Sequence, residues 1–402
     1  MTKVRQISHR GMALLLASLS ALGPFSIDTY LPSFHDIGET LNATPIEVQQ
    51  TLAAYLSAFS LMTLWHGAIS DRFGRRRVIL VALGLFALAS AGCAFATRIE
   101  HLWFWRAMQG VTAGAGIVIS RAIVRDLFDG AAAQRLMSQI TMMFALAPAI
   151  APVIGGWLQT FFGWRSVFIF LVLATSALAF ACWKLLPETL APEKRQSLRP
   201  GYLGRTYFKV MTSPAFLFAV AALSLNFTGF FIYVLSAPVF LMQHLHVPET
   251  GFLWLFGPAM VGLMSGAWIS GRLAGKVRPF RTIALGYVVM AAAAAINLLL
   301  NLTLPPGLPW SVLPLFVYTT GMSIAMPNLT LLALDPFPEQ RGLAASCQTF
   351  FQSGFNSLAA AVIAPALWGS TLSLALGMTG LMLLGGIATL LQQKFRYHPP
   401  AH

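Results

Sequence analysis

The chain has 402 residues, of which 57% are hydrophobic and 10% charged, with a formal net charge of +13. Soluble domains carry about 25% charged residues, so the composition excludes a water-soluble enzyme and implies an all-α integral membrane protein. The positive charge does not indicate a nucleic-acid partner, because Lys and Arg fall in short clusters between apolar runs rather than along one basic stripe with interleaved aromatics.

Lys3, Arg5 and Arg10 precede the first apolar run and imitate a secretory leader, but "ALGPF" is a poor cleavage site, so the run is expected to remain as the first span. Spans of about 20 apolar residues are predicted at 12–34, 47–69, 77–97, 101–123, 134–160, 164–186, 215–242, 250–274, 280–301, 309–333, 341–366 and 371–393. Continuous runs of this length are helices, since a membrane barrel alternates in short segments.

Cations mark every second connection: Arg72, Arg75, Arg76 and Arg77; Arg125 and Arg135; Lys194, Arg195, Arg199, Arg205 and Lys209; Arg272, Lys276, Arg278 and Arg281; Arg341; then Lys394 and Arg396. The intervening connections hold Asp36, Glu39, Glu47, Glu100 and Glu249, with only Arg98 and Arg165 at their edges. By the positive-inside rule both termini are cytoplasmic. The longest basic connection divides the chain into a six-helix bundle at 1–187, a cytoplasmic linker at 188–213 and a second six-helix bundle at 214–402. Weak echoes support the division: "HGAISDRFG" against "ISGRLAGKV", and "AIAPVIGGW" against "AVIAPALWG". Paired halves around a midplane site are transporter architecture.

Within the first span, "GPFSIDTYLP" holds Asp28, the only acid well inside any apolar run. An acid in the bilayer costs about 2.5–3.5 kcal/mol on insertion scales. Asp28 lies about 12 Å along a helix from Asp36, and Arg106, in "RAMQGVTAGAG", is at similar depth below Glu100. If the two spans share a cavity, Asp28 and Arg106 pair or communicate, and a desolvated acid near a cation is poised to bind and release a proton. The alternatives are an interfacial Asp28 at an early helix end and an Arg106 that snorkels to the interface.

Tyr30, Tyr55, Asn226, Tyr233, Asn328, Gln348, Gln352 and Asn356 are candidates to line a wet cavity, because polar groups are expensive in lipid. His66, near a cytoplasmic end, reads as structural. Ala147, Ala151 and Gly155, with Gly156 beside them, form one small-residue stripe, and Gly262, Gly266 and Ser270 form another; such stripes let helices approach closely. Pro148 and Pro152 kink the fifth span. Cys93, Cys182 and Cys347 form no CxxC, so metal and redox chemistry are not expected.

"GAISDRFGRRRV" resembles the loop 2–3 motif of the major facilitator superfamily, through Gly67, Asp71, Arg72, Gly74 and Arg75. "RAMQG" resembles the family's span 4 motif, and "APAIAPVIGGW" resembles its antiporter signature in span 5, with alanines where glycines are usual. With "SIDTYLP", "IVRDLF", "FGWRSVF" and "LLPET", the chain resembles the Bcr/CflA branch of drug:proton antiporters, which includes bicyclomycin- and chloramphenicol-type resistance exporters. Two departures stand out: Ala68 stands where the branch usually has proline, and the second-half loop has Gly271 where the first half has Asp71. The resemblance implies proton-coupled efflux of small amphipathic drugs across the bacterial inner membrane by alternating access, in a monomer that uses a proton gradient and no cofactor. As the only acid well inside any span, Asp28 is with Arg106 the expected proton-coupling pair, and Asp71 is the expected holder of a cytoplasmic gate, facing Arg125 and Arg341. The alternative on the same fold is an importer or uniporter of one defined solute, which calls for a denser polar site. No HExxH, GxSxG or Gly-Lys-Ser/Thr motif supports a membrane enzyme.

Overall fold

The computed structural model describes residues 9–128, 130–191, 193, 195, 200–337 and 340–395. Lys3, Arg5, Lys194, Arg199 and Arg396, counted above for topology, lie outside the described residues. The chain divides into two compact units, Met1–Pro200 and Gly201–His402, the division falling inside segment 188–213.

Among the described residues every regular element is helical. The first unit contains α1 (His9–Asp28), a short 3₁₀ turn (Leu31–Ser33), α2 (Phe34–Leu41), α3 (Pro45–Phe73), α4 (Arg75–Ala94), α5 (Ile99–Leu127), α6 (Gly130–Phe162) and α7 (Arg165–Leu185). The second contains α8 (Pro200–Met211), α9 (Pro214–Leu235) with a π-helical turn at Pro238–His244, α10 (Leu253–Leu273), α11 (Pro279–Thr303), α12 (Leu313–Leu334), α13 (Arg341–Leu358) with a π-helical turn at Ala359–Ile363, α14 (Ala364–Ala366) and α15 (Thr371–Lys394).

Local chemistry sets several boundaries. Thr44 begins α3 with a capping box: its hydroxyl accepts from Glu47 N, Glu47 Oε2 accepts from Thr44 N at 2.8 Å, and Pro45 follows at the first helical position. Asn42 ends α2 at φ 51°, a left-handed conformation that asparagine tolerates. Gly74, at φ 95°, separates α3 from α4.

Among the described residues ten helical stretches are long and apolar enough to cross a membrane. The predicted span 341–366 falls short of that measure, and parts of 134–160 lie outside the described residues. Of α6 only Leu146–Phe162 registers, as a shorter apolar helix, and α13 carries Gln348, Gln352 and Asn356. The outward surface is apolar, with Leu61, Leu88, Phe95, Leu173, Val288 and Leu390 each more than half exposed, as lipid-facing side chains are.

Each unit repeats one set of helix neighbours. In the first, α3 packs on α5, α4 on α5 and α7, and α1 on α5, α6 and α7. In the second, α10 packs on α12, α11 on α12 and α15, and α9 on α12, α13 and α15. Counting spans in order, each of these pairs in one unit has its counterpart in the other. Close approaches occur at small residues. A Cβ on Gly110 would strike the Tyr55 carbonyl, and one on Gly155 the Thr29 carbonyl. In the second unit a Cβ on Gly262 would strike the Phe316 carbonyl, and one on Gly266 that of Thr320. The two predicted stripes therefore face backbone of the first and tenth spans, with Ala151, Pro152 and Gly156 also buried on α6.

Candidate functional site

Asp28 is the last residue of α1, so the helix does end early, yet its side chain is only 4% exposed. Among the described residues no hydrogen bond or ion pair reaches its carboxylate. Two residues before it, the Ser26 hydroxyl lies 2.8 Å from Gly23 O and 3.0 Å from the Tyr55 hydroxyl, which itself donates to Gly23 O at 3.1 Å. Two residues after it, Tyr30 donates to Thr51 Oγ1 at 2.9 Å, since Thr51 gives its own proton to Val48 O at 2.6 Å. Tyr30 and Tyr55 are both fully buried.

Between these two rings sits Arg106, with its guanidinium carbon 4.7 Å from the Tyr30 centroid and 4.6 Å from that of Tyr55. Its exposure is 0%, so it does not snorkel. Nη1 donates to Ser26 O at 3.2 Å and to Gln109 Oε1 at 2.7 Å, and Gln109 is fixed in turn by donating to Ser90 Oγ at 2.7 Å. Nε and Nη2 have no hydrogen-bond partner among the described residues. A desolvated cation on aromatic faces gains about 2 kcal/mol or more, so a rigid aromatic slot holds this charge. The expected ion pair between Asp28 and Arg106 is not formed. The guanidinium is drawn to the Ser26 carbonyl and to Gln109, and the two tyrosines fix its plane.

At the α3–α4 turn, Asp71 Oδ1 lies 2.5 Å from Arg75 Nη1. Arg75 also donates through Nη1 to Ser70 Oγ at 2.6 Å and through Nε to Asp126 Oδ2 at 3.2 Å. Asp71 was expected to face Arg125. That residue is exposed, and its neighbour Asp126 joins the cluster instead, as a second acid on the arginine that Asp71 already holds. Arg72 is exposed and lies over the Phe73 ring, Gly67 is half-buried, and Arg341 is exposed at the start of α13. His66 donates from Nε2 to Val111 O at 3.0 Å, as a packing residue would.

Among the second-unit candidates, Asn226 donates to the Tyr287 hydroxyl at 2.8 Å, Asn297 donates to the Tyr233 hydroxyl at 2.9 Å, and Thr228 donates to Asn356 Oδ1 at 3.1 Å. Asn226, Tyr233 and Asn356 are thus engaged between helices of their own unit. Gln348 and Gln352 are half-exposed on α13, beside an apolar hollow of about 400 Å³ lined by Pro214, Leu217, Phe218, Phe351 and Phe355. Among the described residues no three His, Cys, Asp or Glu side chains gather as a metal site would need.

Sequence reading missed Ser26, Gln109 and Ser90 around Arg106, and Ser70 and Asp126 around Arg75. Gln109 lies three residues from Arg106 on one helix, a spacing that signals contact. Nothing local in the sequence signals the others.

Two units of membrane-length helices with matching neighbours, one of them holding a buried acid and a buried cation, define a polytopic membrane transporter. The chain belongs to the Major Facilitator Superfamily, whose family model matches residues 14–364. An uncharacterized MFS-type transporter of Bacillus subtilis (strain 168), YdgK, is 32% identical over 338 residues, 83% of this chain and 84% of that one. A bicyclomycin resistance protein homolog of Haemophilus influenzae is 31% identical over 264 residues, 66% of each chain. Multidrug resistance protein D of Escherichia coli (strain K12) is 28% identical over 384 residues, 94% of this chain and 92% of that one.

Proposed function

We propose that the chain exports small amphipathic drugs across the bacterial inner membrane in exchange for protons, by alternating access. The names of the relatives support drug efflux. The observation that carries the coupling is the Asp28 carboxylate, buried at the end of α1 with neither donor nor cation bound to it among the described residues. Its charge is therefore open to balance by a proton or by a substrate. Competition between the two for one desolvated acid gives exchange without further machinery, with Arg106, held in its tyrosine slot, as the second proton-coupling residue. The proton gradient is the energy source, and no cofactor or catalytic chemistry is involved.

The working unit is a monomer of twelve spans with both termini cytoplasmic, built as bundles 1–187 and 214–402 joined by the linker 188–213. Asp71 and Arg75 form the cytoplasmic gate, with Gly67 and Gly74 shaping its turn; Arg72 and Arg125 are exposed cations of the same unit, and Arg341 is an exposed cation of the second. Tyr30 and Tyr55 in the first unit and Gln348 and Gln352 in the second are the candidates for substrate contact, and Asn226, Tyr233 and Asn356 brace helices within the second unit.

The test is substrate-induced proton release from purified protein, wild type against Asp28→Asn, with a cationic drug such as ethidium. Wild type is expected to release a proton on binding and to bind more tightly as pH rises through the titration of Asp28, because the ionised carboxylate is the form that binds a cation. Asp28→Asn should release none. Equal release from both proteins would place the proton elsewhere.

A further inference from the structure

The motif "LLPET" closes the first bundle, and its Glu188 and Thr189 reach back to the gate. Helix α4 begins at Gly74 without a side-chain cap from its own segment. The first N–H groups of any helix lack intrahelical partners, and here Glu188 Oε1 accepts from Arg75 N at 2.9 Å, across 113 residues of sequence. The same oxygen accepts from Leu190 N at 3.1 Å, which folds the segment onto its own carboxylate. A negative charge at a helix N-terminus is favourable. Gly74 makes this contact possible, since a Cβ there would strike the Glu188 carboxylate.

The next residue repeats the attachment. Thr189 Oγ1 donates to Asp126 Oδ2 at 2.9 Å, the oxygen that also receives Arg75 Nε at 3.2 Å. Arg76 Nη2 adds a bond to Trp183 O, near the end of α7, at 2.6 Å. Arg75, only 7% exposed, is thus gripped from both sides: its backbone by Glu188, and its guanidinium by an acid that Thr189 orients.

We propose that Glu188 and Thr189 are positioning residues of the cytoplasmic gate, clamping the first residues of the linker onto Arg75 and Asp126, so that opening the gate and releasing the linker are one event. The proposal rests on the gate reading of Asp71 and Arg75 given above.

Two measurements on the full-length protein separate the two readings. The first is trypsin cleavage after Arg195, an exposed linker residue, in purified protein. Thr189→Val and Glu188→Ala should each speed cleavage about five-fold, the factor corresponding to one lost hydrogen bond, and Thr189→Ser should cleave like wild type. The second is proton-driven chloramphenicol and ethidium efflux in proteoliposomes. The same two variants should lower turnover with KM unchanged, Thr189→Ser should restore it, and Asp71→Asn should abolish transport. If Asp71→Asn stops efflux while Thr189→Val and Glu188→Ala are cleaved and turn over like wild type, the clamp is overturned and the gate stands. If Asp71→Asn transports normally, the gate reading falls and takes the clamp's role with it. A slowed Thr189→Val that Thr189→Ser does not rescue would also overturn the clamp.

Discussion

The two units share one pattern of helix neighbours but differ in what they bury. The first contains Asp28, Arg75 and Arg106 at under one-tenth exposure. Among the described residues of the second, every buried polar side chain is neutral, as in the network of Asn226, Tyr287 and Thr389 and the pair Tyr233 and Asn297. The same packing is therefore built with and without internal charge. Helix association in lipid needs only small residues and neutral hydrogen bonds, so the charges of the first unit are not required to hold it together. On the proton-coupling proposal they mark a task that the second unit does not share.

The comparison is tested most severely by removing polarity from each unit in turn. Asp28→Asn should reduce drug resistance in an efflux-deficient host to the level of the empty host, whereas Asn297→Leu should leave most of it; equal losses would end the division of labour. Arg106→Lys comes next. It keeps the cation but loses the planar stack on Tyr30 and Tyr55, an interaction of about 2 kcal/mol, and turnover in a proton-driven assay should fall roughly ten-fold or more. A smaller effect is expected from Gly155→Leu and Gly266→Leu, which drive side chains into the Thr29 and Thr320 carbonyls. Each should cost about 1–3 kcal/mol, seen as a lower thermal midpoint in detergent, and similar losses would show that packing, unlike charge, is shared by the halves. The smallest effect belongs to Tyr287→Phe. It deletes two hydrogen bonds, each worth about 0.6 kcal/mol within a membrane, and the ratio of protons to drug, measured by paired pH and drug fluxes, should not change.

The helices, their paired arrangement and the isolated acid were legible because each is written locally, in continuous apolar runs, in repeated loop cations and in one carboxylate among Phe25, Ile27 and Tyr30. The partners of Arg106 were not. Tyr30 and Tyr55 stood out as polar residues in lipid, but that they enclose a guanidinium depends on the packing of α1, α3 and α5, which leaves no periodic trace. The same limit applies to Arg75, whose acids come from α3 and α5 and whose backbone acceptor follows α7. The Asp28–Arg106 pair was expected from equal depth alone, and depth does not say which carbonyl or ring a side chain meets first.

Tyr55 works on three helices at once: its hydroxyl meets Ser26 and Gly23, its ring lies against Arg106, and its carbonyl abuts Gly110. No other amino acid offers a flat ring and a hydroxyl at that reach, so a substitution there disturbs all of these contacts together. Gln348 and Gln352 carry no such obligation, having no hydrogen-bond partner among the described residues. Polarity at Gln348 and Gln352 is therefore free of structural duty, while every polar atom and the ring of Tyr55 are already committed to the fold of the first unit.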